Sequence, residues 1–143
     1  MVTDEFYSLG FLLSRASVSL ARALTAEFRK EGIDLPHSQF VVLRCLYYRD
    51  GISQSEIANT LFKDAAAIKR TLDNLESKGY VRRQAVRNLK NNVFITESGK
   101  SVMPGLLRVS EKVIAGSLDG IDAAGYGLLR ELLEKIYSNT HRK

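Results

Sequence analysis

Residues 52–83 read ISQSEIANTLFKDAAAIKRTLDNLESKGYVRR, two short helical patterns joined by a tight break. Ser53-Gln54-Ser55-Glu56 has the form of a capping box, in which the Ser53 hydroxyl accepts from the Glu56 amide and the Glu56 carboxylate accepts in return from the Ser53 amide. Ile57, Ala58 and Leu61 then fall on one side of a short helix. Asp64 is placed to cap a second helix running to Lys78, where Ile68, Leu72 and Leu75 make a narrow apolar stripe. The opposite face carries Ala66, Ala67, Lys69, Arg70, Asp73 and Asn74. Gly79 closes this helix at a position that favours left-handed backbone.

Working outward, Phe6 to Glu31 predicts one long helix, with Phe6, Leu9, Leu13, Ala16, Leu20, Ala23, Leu24 and Phe28 at helical spacing. Phe11 and Leu12 lie off that stripe, so its first half is apolar over more than one face. Pro36, His37 and Ser38 open a helix over Gln39–Tyr48 whose inner face is read as Phe40, Leu43 and Tyr47. Asp50-Gly51 ends it with turn chemistry. After Gly79, two strands are expected, Tyr80–Val86 and Asn92–Ile95, around a turn at Asn88–Asn91. Thr96 caps a helix from Glu97 to about Gly116 that contains Gly99, Pro104 and Gly105. Asp119-Gly120 breaks it, and Ala123–Tyr137 forms a last helix with Leu128, Leu129, Leu132, Leu133 and Ile136 on a broad apolar face. The order α-α-α-α-β-β-α-α describes a mainly α winged helix-turn-helix with long terminal dimerisation helices. Those termini carry more apolar surface than the middle can cover, and intertwining with a second copy accounts for the excess.

The chain is 143 residues and 16.0 kDa, 45% hydrophobic and 26% charged, the profile of a folded single domain rather than a disordered or fibrous chain. No apolar run reaches the length of a bilayer crossing, and Asp4 and Glu5 stand where a secretory leader would carry cations. A cytoplasmic, membrane-free protein is the expectation. One cysteine, Cys45, excludes an internal disulfide, and no His/Cys cluster has metal-site spacing. The net charge is +5, and residues 63–100 hold all of it: nine Lys and Arg there face only Asp64, Asp73, Glu76 and Glu97. Such a concentration suits a phosphate-binding surface, although a merely solvated charged face would look the same without a fold beneath it.

The fold supplies that context. In a helix-turn-helix the second helix enters the major groove of double-stranded DNA while the first crosses the backbone. Ala66 and Ala67 allow close approach and contact with thymine methyl groups. Lys69 and Arg70 lie one turn on, Arg70 reading a guanine or taking a phosphate. Asn74 sits further from the leading end. Ser53, Gln54 and Ser55 offer hydroxyls, an amide and a helix N-terminus to phosphate. Lys63, Arg83, Arg87 and Lys90 complete the candidate DNA-binding set.

Residues 35–99 resemble the multiple-antibiotic-resistance regulator (MarR) family of bacterial transcription factors. The resemblance is carried by Leu35-Pro36-His37-Ser38-Gln39-Phe40-Val41-Val42-Leu43, by Ser53-Gln54-Ser55-Glu56-Ile57-Ala58, by the run Arg70 to Arg83, and by Ile95-Thr96-Glu97-Ser98-Gly99. It implies one domain over 1–143, in which 35–97 form the DNA-binding lobe and 1–34 and 98–143 the dimerisation helices. It further implies an obligate homodimer, a palindromic operator, a repressor's role and release by a small apolar or phenolic effector bound between the dimer helices and the lobe. One departure stands out. The family's wing carries Asp-x-Arg with the arginine seven residues before the threonine, and here those positions are Arg87 and Leu89. Either Arg87 or Lys90 substitutes in the minor groove, or the wing touches phosphate alone.

Four other readings compete with this one. Cys45 invites an oxidant-sensing role, but it sits in an apolar helix, where a packed thiol is the commoner case. His37 reads as a helix-opening residue rather than a ligand, and His141 lies in the tail. A winged-helix module that binds a partner protein would have no need to concentrate the basic charge. Enzymatic function finds no nucleophile–base pair, metal cluster or phosphate-cradling glycine loop, so no catalytic residue and no cofactor is assigned.

Overall fold

A computed structural model describes residues 5–85 and 91–141. After a 3₁₀ turn at Glu5–Tyr7, the order is α1 (Leu9–Lys30), α2 (His37–Tyr48), β1 (Ile52–Ser53), α3 (Gln54–Leu61), α4 (Ala65–Ser77), β2 (Val81–Ala85), β3 (Asn91–Ile95), α5 (Glu97–Ser117) and α6 (Ala123–Thr140). The winged helix-turn-helix is therefore present, with long helices on either side.

Local chemistry accounts for most boundaries. Ser8 caps α1 by accepting from the Phe11 amide, so the helix opens at Leu9 and not at Phe6. The capping box at Ser53 is complete: its hydroxyl accepts from the Glu56 amide at 3.1 Å and its own amide donates to Glu56 Oε1 at 3.2 Å. Asp64 caps α4 by accepting from the Ala67 amide at 2.7 Å, and Thr96 caps α5 by accepting from the Gly99 amide at 3.1 Å. Such caps contribute about 0.5–2 kcal/mol each. Burying Ile68, Leu72 and Leu75 in α4 contributes about 1.5–3 kcal/mol for each side chain, so packing rather than capping holds α4 down.

Two further details differ from the sequence reading. The sheet has three antiparallel strands in the order β1-β3-β2, not two. β1 is two residues, Ile52 opposite Val93 and Ser53 opposite Asn92, too short to leave a periodic signal. It is pinned from outside the strand, where the Ile95 amide donates to Asp50 Oδ1 and the Asn92 side-chain amide donates to the Gly51 carbonyl. On α2, Val42 and Leu46 join Phe40 and Leu43 in the core, and Tyr47 turns toward solvent. Position 47 shares the helix face of Leu43 and Phe40, but it falls in the last turn of α2 and is exposed there.

The core centres on Phe28 and Phe40, whose rings sit 5.0 Å apart, with Leu35, Leu43, Ile57, Leu72, Met103 and Leu106 fully buried around them. Elements α2, α3, α4 and the sheet share this core with the C-terminal end of α1 and the N-terminal half of α5. Gly99 marks a forced close approach: a Cβ there would run into the Tyr80 carbonyl and the Ile95 side chain. The outer helices are different. Among the described residues, α1 buries only Leu24 and Phe28, and α6 buries none. Leu128, Leu129, Leu132 and Leu133 are all exposed along α6.

Candidate nucleic-acid interface

α3 and α4 meet at the turn Phe62–Asp64, and α4 packs its stripe inward so that Ala65, Ala66, Lys69, Arg70, Asp73 and Asn74 face solvent. Ala66 is exposed as the sequence suggests, while Ala67 is half-buried toward α2. Ala65, absent from the sequence-derived set, stands at the leading end beside Ala66. Its signal was available: it is the first residue after the Asp64 cap. At the start of α3, Gln54 is half-exposed and Ser55 exposed, but Ser53 is 7% exposed with its hydroxyl committed to the Glu56 amide. The cap uses the oxygen that would otherwise take a phosphate, so Gln54 and Ser55 are what this end presents.

The cations sort into two groups. Arg70 and Lys63 are exposed and make no ion pair among the described residues. Lys69 and Arg83 are both engaged by one carboxylate, Asp73, at 3.1 and 2.5 Å. The Arg83 bond and then the Lys69 bond hold the Asp73 carboxyl below its ordinary value. Glu76 completes the arrangement, with Oε1 3.8 Å from Arg83 Nε and Oε2 accepting from the Arg83 amide. Arg83 thus points from β2 onto α4 instead of outward. Sequence reasoning missed this because the acids lie on a different element, 7 and 10 positions away. Arg82, beside it, lies over the Phe94 ring at 4.6 Å. Arg87, Leu89 and Lys90, on which the wing reading depends, lie outside the described residues.

The lobe is tied to its surroundings at both ends of α4. Lys78 Nζ donates to the Asp34 carbonyl and to Oε1 of the buried Gln39, fixing the helix C-terminus to the α1–α2 connection. Behind that connection, the His37 amide donates to Thr25 Oγ1 at 3.0 Å. Burial, and then the nearby charges of Arg44 and Lys63, lower the His37 imidazole's affinity for a proton. Burial pushes the half-buried Cys45 thiol up, against the opposing pull of Arg49 and Arg44. A cleft of about 470 Å³ between α1 and α2 is lined by Val18, Ala21, Arg22, Thr25, Pro36 and His37, among others. A larger groove of about 640 Å³ runs between α1, α5 and α6. Among the described residues, no group of His, Cys, Asp and Glu can hold a metal ion, and no helix is long and apolar enough to cross a membrane.

Comparison with known proteins agrees with this geometry. The MarR family model matches residues 35–88, the lobe itself. The chain is 28% identical over 116 residues, 78% of each chain, to the HTH-type transcriptional regulator SarZ of Staphylococcus haemolyticus. In three dimensions it is similar to a MarR-family regulator of Listeria monocytogenes solved with a 26-mer DNA, at TM-score 0.80 and 23% identity over 95% of this chain and 97% of that one. It is also similar to CouR of Rhodococcus jostii bound to p-coumaroyl-CoA, at TM-score 0.82 and 24% identity over 99% and 100% of the two chains. These two solved structures support the fold. The relatives' names are those of regulators, not enzymes.

Proposed function

Because the chain belongs to the MarR family of winged helix-turn-helix, DNA-binding transcription regulators, we propose that it works as a homodimeric repressor on a palindromic operator and is released by a small effector. The observation that carries this reading is the exposed face of α4, where Ala65 and Ala66 permit close approach and Arg70, free of any ion pair among the described residues, follows one turn later. Small residues at the leading edge let a helix enter a groove about 12 Å wide, and an unpaired arginine can read a guanine or hold a phosphate. Gln54 and Ser55 face the backbone from α3, with Lys63 at the turn; Asn74 and Lys69 flank the base-reading positions. Residues 35–97 form the DNA-binding lobe within one domain of 1–143, and 1–34 and 98–143 form the dimer.

Dimerisation follows from what α6 leaves uncovered: four leucines on an 18-residue helix that buries nothing within its own chain. Two recognition helices then meet half-sites about 34–36 Å apart. The cleft between α1 and α2 lies where a dimer helix joins the lobe, and its apolar floor beside His37 and Arg22 suits a small apolar or phenolic molecule. CouR holds p-coumaroyl-CoA on the same fold, which supports ligand control of this kind. A ligand wedged there would alter the spacing of the recognition helices and so disfavour simultaneous docking. Cys45 does not favour an oxidant sensor, because a thiol raised by burial is a poor source of thiolate.

The test is duplex binding by the purified protein, using sequences selected from a random pool and titrated across salt against scrambled competitor, with sedimentation read in parallel. A dimer that holds a two-fold-symmetric selected sequence against competitor supports the reading. A selection that yields no shared sequence, or a monomer at binding concentrations, removes it.

A further inference from the structure

Phe62 ends α3 in the left-handed backbone region, at φ 52 and ψ 52. It is the only non-glycine with positive φ among the described residues. The turn itself requires that conformation. The Lys63 amide donates to the Ala58 carbonyl and the Phe62 amide to the Asn59 carbonyl, the paired bonds of a Schellman motif, where glycine or asparagine is the usual occupant. A bulky aromatic residue is strained there, and this one is also 66% exposed. Neither helix capping nor core burial explains its presence.

Its ring contacts do. The Phe62 ring meets Tyr137 edge-on at 5.5 Å and 90°, and His141 at 5.4 Å and 85°. Tyr137 and His141 stack on each other at 4.9 Å and 17°. Tyr137 lies in the last turn of α6 and His141 is its C-cap, and the helix buries no residue in its own chain. The other end of the connection is short: Asp64, the cap of α4, is two residues after Phe62.

We infer that Phe62, Tyr137 and His141 form an aromatic clasp that couples the end of α6 to the turn of the helix-turn-helix, making Phe62 a positioning residue for α4. The dimer helix and the groove-reading helix are then joined through a contact that bypasses the hydrophobic core. A change in how two copies of α6 sit together would reach α4 by this route, and the strained turn is held by rings from outside the lobe. The inference rests on α4 being the DNA-reading helix.

Full-length protein and the variants Phe62→Gly, Tyr137→Ala, Tyr137→Phe and Phe62→Gly/Tyr137→Ala are compared by amide hydrogen exchange at Ala67 and Ile68 and by affinity for a duplex selected from a random pool. Sedimentation confirms that each has the assembly state of the parent, and His141→Ala replaces Tyr137→Ala if that variant does not. Phe62→Gly is expected to melt no lower than the parent, since glycine relieves the backbone, yet to exchange about three- to tenfold faster at Ala67 and Ile68 and to lose DNA affinity by a similar factor. Tyr137→Ala should reproduce both losses, Tyr137→Phe should keep the parent's values, and the double variant should be no worse than the larger single one. A Phe62→Gly protein with unchanged exchange at both amides, or losses that multiply in the double variant, overturns the clasp. Faster exchange in variants of a parent that selects no duplex would keep the clasp and remove the DNA reading instead.

Discussion

Arg70 and Arg83 have the same side chain and differ in company. Arg70 stands on the exposed face of α4 without an ion pair among the described residues, whereas Arg83 is held between Asp73 and Glu76. Arg70→Ala should therefore weaken binding to a selected duplex by about 1–3 kcal/mol and relax preference at one position if it reads a base. If it holds a phosphate, affinity falls evenly across sequences and the salt slope drops by about one. Competition binding with single-position variants of the duplex separates these, and undiminished affinity would take Arg70 out of the interface. His37 supplies a prediction in pH. Its folded form resists protonation through burial and the charges of Arg44 and Lys63, so its folded pKa lies below the unfolded value of about 6.5. Above that value neither state binds the proton, and the contribution of the neutral ring is fully present. As pH falls below about 6.5 the unfolded chain takes up a proton that the folded chain declines, and stability is lost toward the folded pKa. Denaturation midpoints followed downward from neutral pH should fall more steeply for the parent than for His37→Gln. Parallel curves would show that His37 does not titrate between the two states.

At the scale of elements, β2 and α4 are clasped by Arg83. Its side chain is 18% exposed and its guanidinium faces α4, so it acts on the angle between β2 and α4. Arg83→Ala is expected to lower stability by about 1 kcal/mol or less, because both partners remain half-exposed, and to leave the salt slope of DNA binding unchanged. A slope reduced by one unit would instead place Arg83 on phosphate. This contact also shows what the sequence could and could not disclose. The stripe Ile68, Leu72, Leu75 and the caps at Ser53, Asp64 and Thr96 were legible because each is set within a few residues by helix geometry. Lys69 and Asp73 at i and i+4 were readable on the same grounds. The capture of Arg83 by acids of another element was not, since it depends on how β2 returns beneath α4. β1 was hidden by its length, and the left-handed Phe62 by a residue type that gives no hint of such backbone. Gly99, by contrast, stands in the sequence as a glycine within a helix and the last residue of the Ile95–Gly99 motif, and the structure makes it the place where α5 passes the Tyr80 carbonyl.

For the whole molecule, the question is what covers α6. The lobe has its own core, and α6 adds no buried residue to it, so a polar change on α6 should spare the folding of residues 35–97. Leu132 is 48% exposed in the isolated chain and lies between Leu128 and Leu133 on the uncovered surface. A second copy that buries this surface would make a glutamate at position 132 costly in the dimer and nearly neutral in the monomer, because a buried unpaired carboxylate must either lose its hydration or protonate. Leu132→Glu is therefore expected to shift sedimentation from dimer toward monomer while the helical circular dichroism of the lobe persists. Affinity for a palindromic duplex should fall much further than affinity for a single half-site, since one lobe keeps its own contacts and loses only the second. A Leu132→Glu protein that remains a dimer would show that α6 does not carry the interface along this line of leucines. Retained dimerisation with lost DNA binding would point to coupling through the end of α6, where Tyr137 and His141 meet Phe62.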